Sequence, residues 1–244
     1  MISNPISGAK YFLSGLGLIN TKGIRRFVLM PLLINIIIFS AGLWFAVNQF
    51  DIFITWALSS LPSWLSWLEW IMWPLFAFTF YGLTFFSFSI IANIIASPFN
   101  GPLAAAVEHN LKGRVDFKND KSFMQEIKES IGNEVIKLKY SLYLMIPLIF
   151  LSTLSLAFPL ISPFVAMLWM IYTVWVLAVE YAEFSMSNQG LLFKETKGKL
   201  AEKRILSLGF GSMVLFATMI PFVNFLVMPV AVAGATKMNL NEFQ

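Results

Sequence analysis

Thr21-Lys-Gly-Ile-Arg-Arg26 is followed by Phe27-Val-Leu-Met-Pro-Leu-Leu-Ile-Asn-Ile-Ile-Ile-Phe-Ser-Ala-Gly-Leu-Trp-Phe-Ala-Val-Asn-Gln-Phe50, twenty-four residues without a charge. At about 1.5 Å per helical residue the run reaches roughly 36 Å, more than the hydrocarbon core of a bilayer. It reads as a membrane-spanning helix. The two arginines stand just before it, where a helix start offers unpaired N–H groups and the positive end of its dipole, a setting suited to an anion.

Composition agrees. The 244 residues are 58% hydrophobic and 12% charged, with a mean hydropathy of +0.74, against roughly 25% charged in soluble domains. This is the composition of an integral membrane protein. The pI near 9.3 comes from basic residues at segment ends, not from an aromatic-interleaved patch, so nucleic acid is not an expected partner. The absence of cysteine excludes disulfides, thiolate metal sites and cysteine nucleophiles together.

Four charge-free runs stand out: Phe27 to Phe50, Trp70 to Val107, Ser141 to Val179 and Ile205 to Thr236. The first two predict spanning helices over 27–50 and 71–97, the second ended by Ser97-Pro-Phe-Asn-Gly-Pro102. The connector 51–69 has no lysine or arginine but carries Trp56, Trp64 and Trp67, an interfacial belt. The basic residues number four before the first span, none in 51–69, seven in 98–140, five in 180–204, and then Lys237. All seventeen fit on one side, so the positive-inside rule places both termini in the cytoplasm.

The last two runs must then each enter and return. Breaks at Phe158 to Phe164 and Met219 to Asn224 leave arms of about eighteen and fourteen residues, roughly 27 and 22 Å, short for full crossings. The expectation is therefore an all-α membrane protein with a single domain over 1–244: two long spanning helices and two re-entrant helical hairpins, 141–184 and 205–236, penetrating the bilayer partly. An interfacial N-terminal helix (1–22) and a cytoplasmic helical segment (98–140) complete it. In 98–140, Ser122 and Gln125 form a capping box ahead of an apolar stripe that runs on into the third run.

Searching for chemistry excludes several classes. There is no phosphate-cradling Gly-Lys-Ser or Gly-Lys-Thr loop, no His/Glu metal spacing and no nucleophile elbow, so an ATP-driven pump is excluded and no cofactor is expected. His109, the only histidine, lacks sequence partners for catalysis and reads as a surface residue. Asn35, Asn93, Asn100 and Asn224 are the polar candidates to line a pathway or to join helices by hydrogen bonds. No Asp, Glu, His, Lys or Arg lies inside the runs apart from their ends, so no proton relay is evident.

Gly-Ile-Arg-Arg-Phe (23–27), Met-Pro-Leu-Leu-Ile-Asn (30–35), Ser-Pro-Phe-Asn-Gly (97–101) and Thr-Met-Ile-Pro-Phe-Val-Asn-Phe with Met-Pro-Val-Ala-Val-Ala-Gly-Ala-Thr (218–236) resemble the CysZ family of bacterial inner-membrane sulfate permeases. The resemblance runs from about Ile6 to the end. It implies sulfate uptake for cysteine biosynthesis, a multi-pass inner-membrane location and a homo-oligomer. It also implies a sulfate site at Gly23, Ile24, Arg25 and Arg26, with Ile24 standing where leucine is usual. The residues permit a blander reading of Lys22, Arg25 and Arg26 as anchors at anionic headgroups. A non-transporting scaffold is the alternative function.

Overall fold

The computed structural model describes residues 4–59, 62–65, 67–113 and 123–244; side chains at 58, 63, 81, 83–94, 96, 97, 123–131, 133, 134, 221 and 222 lie outside the description. Asn93 is therefore described in its backbone only, and Ser122 of the expected capping box lies outside the described residues. Every regular element described is helical.

Two compact units divide the chain. The first comprises the described residues up to Val28 together with those from Asn100 onward; the second is Leu29–Phe99.

In the first unit, α1 (Pro5–Ile19) starts where Asn4 accepts a hydrogen bond from the Ile6 N–H and Pro5 occupies the first turn, where its missing N–H does no harm. The glycines that seem to interrupt this helix are its packing surface. Gly8, Phe12 and Gly15 are buried. They lie against α7 (Arg204–Thr218) and α8 (Pro221–Glu242). A Cβ on Gly8 would meet the Leu206 carbonyl oxygen at 2.0 Å, and one on Gly15 would meet that of Val230 at 2.1 Å. Gly209 and Gly234 return the same close approach from α7 and α8. Small residues that let backbones touch are how helices associate where lipid removes the hydrophobic drive. The expected interfacial helix is thus a packed element whose outer face keeps Ile6, Leu13 and Leu16 exposed. Tyr11 and Lys203 close the contact by donating to the Glu242 carboxylate at 2.8 and 2.7 Å.

The hairpin segments are longer than the charge-free runs. α4 (Phe123–Ala157) and α5 (Ser162–Asn188) meet through Phe158 and a single 3₁₀ turn at Pro159–Ile161. Their apolar parts, Val135–Ala157 and Pro159–Asn188, contain 23 and 30 residues, enough by length to cross a bilayer. The runs underestimate them because both helices continue into charged flanks, where Lys137 and Glu183 pair at 3.0 Å. α5 ends in a Schellman turn: Gly190, at φ 80°, donates to the Ser187 carbonyl and Leu191 to that of Met186. α6 (Phe193–Glu202) follows, started by the Glu195 carboxylate accepting from the Leu192 N–H. α7 and α8 turn at Met219–Ile220, with Pro221 opening α8. α7 has 15 residues, while Val223–Glu242 is long and apolar enough to cross.

In the second unit, α2 (Arg26–Ser59) supplies all residues from Leu29 to its end, and α3 (Leu68–Lys112) those as far as Phe99. Phe50 stacks on Phe76 with ring centroids 4.0 Å apart and meets Trp73 edge-on at 5.0 Å. Trp56, Trp64 and Trp67 are exposed.

Two boundaries differ from expectation. α2 passes Asp51 and runs to Ser59. α3 does not break at Ser97–Pro102, so the residues expected to open a separate cytoplasmic segment at 98 prolong a helix that ends only at Lys112. Prolines are tolerated inside such helices when neighbours satisfy the backbone groups they free. Separately, Asn188 of α5 donates to the Gly101 carbonyl at 2.8 Å and ties this part of α3 to α5.

Candidate anion-binding site

The turn between α1 and α2 is built on glycine. Gly23 adopts φ 91°, a conformation that costs a residue with Cβ roughly 1–2 kcal/mol. The Thr21 hydroxyl donates back to the Leu18 carbonyl, and the Thr21 carbonyl accepts from both Ile24 and Arg25 N–H at 3.2 Å. The Ile24 side chain is 1% exposed and belongs to the same core as Phe12, Leu103 and Val107. Ile24 is therefore the anchor of the turn and offers an anion neither side chain nor N–H. Among the described residues, the N–H groups of Gly23 and Arg26 have no acceptor.

A cleft of about 630 Å³ opens beside this turn. Lys22, Gly23, Ile24, Arg26 and Phe27 form one wall; Gly101, Pro102, Ala105, Ala106, His109 and Asn110 of α3 face them, with Asn188 of α5 completing the lining. Helical phase separates the two arginines. Arg26 lines the cleft, its guanidinium 4.8 Å from the Phe27 ring centroid, whereas Arg25 is exposed and outside the lining. Among the described residues, no carboxylate lines the cleft and none pairs with Lys22 or Arg26. The small residues of α3 leave the space open, and the Gln189 amide, next to Asn188, donates to the buried Glu108 at 3.2 Å. Gln189 in turn accepts from Asn239 of α8, so the far wall is braced by hydrogen bonds.

An ammonium and a guanidinium fork lining one cleft, beside a turn with two backbone N–H groups that have no acceptor among the described residues, suit an anion that only accepts hydrogen bonds. Sequence reasoning named Gly23, Ile24, Arg25 and Arg26, of which Arg25 lies outside the lining; it read Lys22 as an anchor, and His109 as a surface residue, which its exposure bears out. It missed Asn110 and Asn188, which reach the cleft from elements far along the chain and carry no local signal.

The asparagines named as pathway candidates fall in both units. Asn100 is buried in the first unit and donates to the Met228 sulfur at 3.3 Å. Asn224 lies one turn earlier on the same face of α8, its N–H donating to the Ile220 carbonyl. Asn35 belongs to the second unit, buried, with an Oδ1 that accepts no hydrogen bond among the described residues.

Among the described residues, four apolar helical stretches long enough to cross a bilayer, with a cationic cleft at the start of one of them, define a polytopic helical membrane protein. The family profile described as "Sulfate transporter CysZ/Etoposide-induced protein 2.4" matches residues 11–229. The chain belongs to this family. It is 40% identical over 239 residues to a protein named "Sulfate transporter CysZ" from Pseudomonas syringae pv. tomato, covering 97% of this chain and 92% of the relative. Proteins of the same name from Pseudomonas paraeruginosa and Vibrio cholerae are 39% and 37% identical, covering 95% and 98% of this chain and 93% and 94% of theirs.

Proposed function

We propose that this protein is a sulfate permease of the bacterial inner membrane, supplying sulfate with high affinity for cysteine biosynthesis, and that the cleft at Lys22, Gly23 and Arg26 receives the ion. The observation that carries the reading is the unpaired cationic turn, found in a chain 40% identical to a named sulfate transporter over nearly its whole length. Gly23 shapes the turn, Arg26 and Lys22 bind, and Ile24 holds the turn to the core. Both termini face the cytoplasm, and the α4–α5 and α7–α8 pairs form re-entrant hairpins beside the two long helices. Asn100 of α3, against Met228, and Asn224 of α8 mark polar steps of the pathway, and Asn35 marks one on α2. The chain works as a homo-oligomer.

Conduction is channel-like, because the charge-free runs 27–50, 70–107, 141–179 and 205–236 contain no Asp, Glu, His, Lys or Arg to carry protons with the anion. Purified protein in liposomes is expected to pass radiolabelled sulfate down its own gradient without any proton gradient. Uphill uptake driven by a proton gradient alone contradicts the channel mechanism. No sulfate flux in either condition contradicts the permease and favours a scaffold.

Gly23→Val places a β-branched residue at φ 91°. It is expected to lower the unfolding midpoint by a few degrees, about 2–4 °C per kcal/mol of strain, and to weaken sulfate binding. Asparagine, which tolerates positive φ better, is expected to do less harm. An unchanged midpoint and affinity for the valine variant would remove the turn from the account.

A further inference from the structure

A second cavity, of about 460 Å³, lies between α4, α5, α6 and α7, apart from the sulfate cleft. Its two ends differ in chemistry. One is apolar, walled by Leu144 and Leu148 of α4 and by Leu168 and Ile171 of α5; at the other stand Lys197 of α6 and Arg204, the first residue of α7. From Tyr140 to Leu148 the wall extends eight residues along α4, about 12 Å.

The basic end sits at the level where the bilayer interface should be. Tyr140 and Trp175 line it, and the Trp175 indole donates to the Tyr140 hydroxyl at 2.9 Å. Such residues settle where apolar chains give way to headgroups. The Lys137–Glu183 ion pair joins the same two helices just beyond them. The Lys197 ammonium is held 4.5 Å from the Tyr140 ring centroid, and its position is therefore set without an anion. Among the described residues, no carboxylate lines the groove and none pairs with Lys197 or Arg204.

We infer that this groove binds an anionic glycerophospholipid, its phosphate between Lys197 and Arg204 and an acyl chain along Leu144, Leu148, Leu168 and Ile171. Charge complementarity selects this occupant. A zwitterionic lipid brings a cation against two cations, a detergent-like neutral chain leaves them unpaired, and a free phosphate leaves the apolar wall unfilled. The four helices of the groove include both the α4–α5 hairpin and α7, so the bound lipid adds a further tie between them.

Native mass spectrometry of the delipidated full chain with dioleoyl phosphatidylglycerol and with dioleoyl phosphatidylcholine tests the inference. Phosphatidylglycerol is expected to bind roughly tenfold or more tightly, about 1 kcal/mol being usual per cation near an anionic surface. Lys197→Gln with Arg204→Gln should abolish that preference, while the charge-matched control Lys10→Gln with Lys194→Gln keeps it. Leu144→Trp fills the apolar wall and should weaken phosphatidylglycerol binding with both cations intact; it decides alone if the double variant does not fold. Glycerol phosphate, which lacks chains, should not compete. Equal binding of the two lipids, a preference surviving the double variant, unweakened binding by the tryptophan variant, or full competition by glycerol phosphate each overturns the site.

Discussion

Alanine in place of Gly8 or Gly209 is expected to lower the unfolding midpoint by roughly 6–12 °C, whereas alanine in place of Gly17 raises it slightly. The substitution is the same; the surroundings are not. A Cβ on Gly8 or Gly209 would lie 2.0 Å from a carbonyl oxygen of the facing helix, Leu206 or Pro5, where real contacts essentially never fall below 3.0 Å. Backbone on both sides cannot rotate away, so α1 and α7 must separate. The cost belongs at the upper end of the overpacking range, about 3 kcal/mol, and each kcal/mol moves the midpoint of a chain this size by about 2–4 °C. Gly17 faces open space within α1, where alanine gains up to about 1 kcal/mol of helix propensity. Thermal unfolding in detergent followed by size-exclusion chromatography reads all three. Midpoints for Gly8→Ala and Gly209→Ala within about 2 °C of the parent would mean that the helices are not in backbone contact.

Replacing Lys22 and Arg26 together by glutamine is expected to lower sulfate affinity at least tenfold in a protein that still folds. Both side chains are exposed on the cleft and make no ion pair among the described residues, so their removal strands no partner. What is lost is the set of charge-assisted hydrogen bonds to the ion, each worth about 1.5–3 kcal/mol, with about 1.4 kcal/mol per tenfold in affinity. Arg26→Lys should restore part of the loss, because an ammonium keeps the charge and gives up the planar fork. Equilibrium binding of sulfate to the purified variants measures this. Undiminished affinity in a folded double variant would place the ion elsewhere.

The bilayer made much of this fold readable. It demands about twenty apolar residues per crossing and an explicit breaker wherever the chain turns, so the runs, and the turns at Phe158–Ile161 and Met219–Ile220, were visible in one sequence. Helix ends were less so. A charge such as Asp51 marks where lipid stops, not where helix stops, and α2 runs on to Ser59. The prolines at 98 and 102 read as a break because proline usually ends a helix, whereas α3 continues through them to Lys112. The packing role of the α1 glycines was not legible for a related reason. A lone glycine in a helix signals weakness unless its partner is known, and the partners Gly209 and Gly234 lie some two hundred residues away.

At the site, charges before an apolar run announced an anion, but helical phase decided the details. Arg25 and Arg26 are adjacent in sequence, and about 100° of helix rotation is enough to put one on the cleft and the other outside it. Ile24 was taken as a donor because its backbone N–H stands at a helix start; the Thr21 carbonyl claims that N–H, and the core claims the side chain. Lys22 looked like a headgroup anchor, and only the facing residues of α3 give it a cavity to point at.

That separation of neighbours supplies the most direct test. Radiolabelled sulfate flux into liposomes should be measured side by side for Arg25→Gln and Arg26→Gln, which change the same charge one residue apart. The account predicts that Arg26→Gln loses roughly tenfold or more at sulfate concentrations below saturation, while Arg25→Gln stays within about twofold of the parent. Equal losses from both variants, or a larger loss from Arg25→Gln, would contradict a sulfate site in the cleft at Lys22, Gly23 and Arg26.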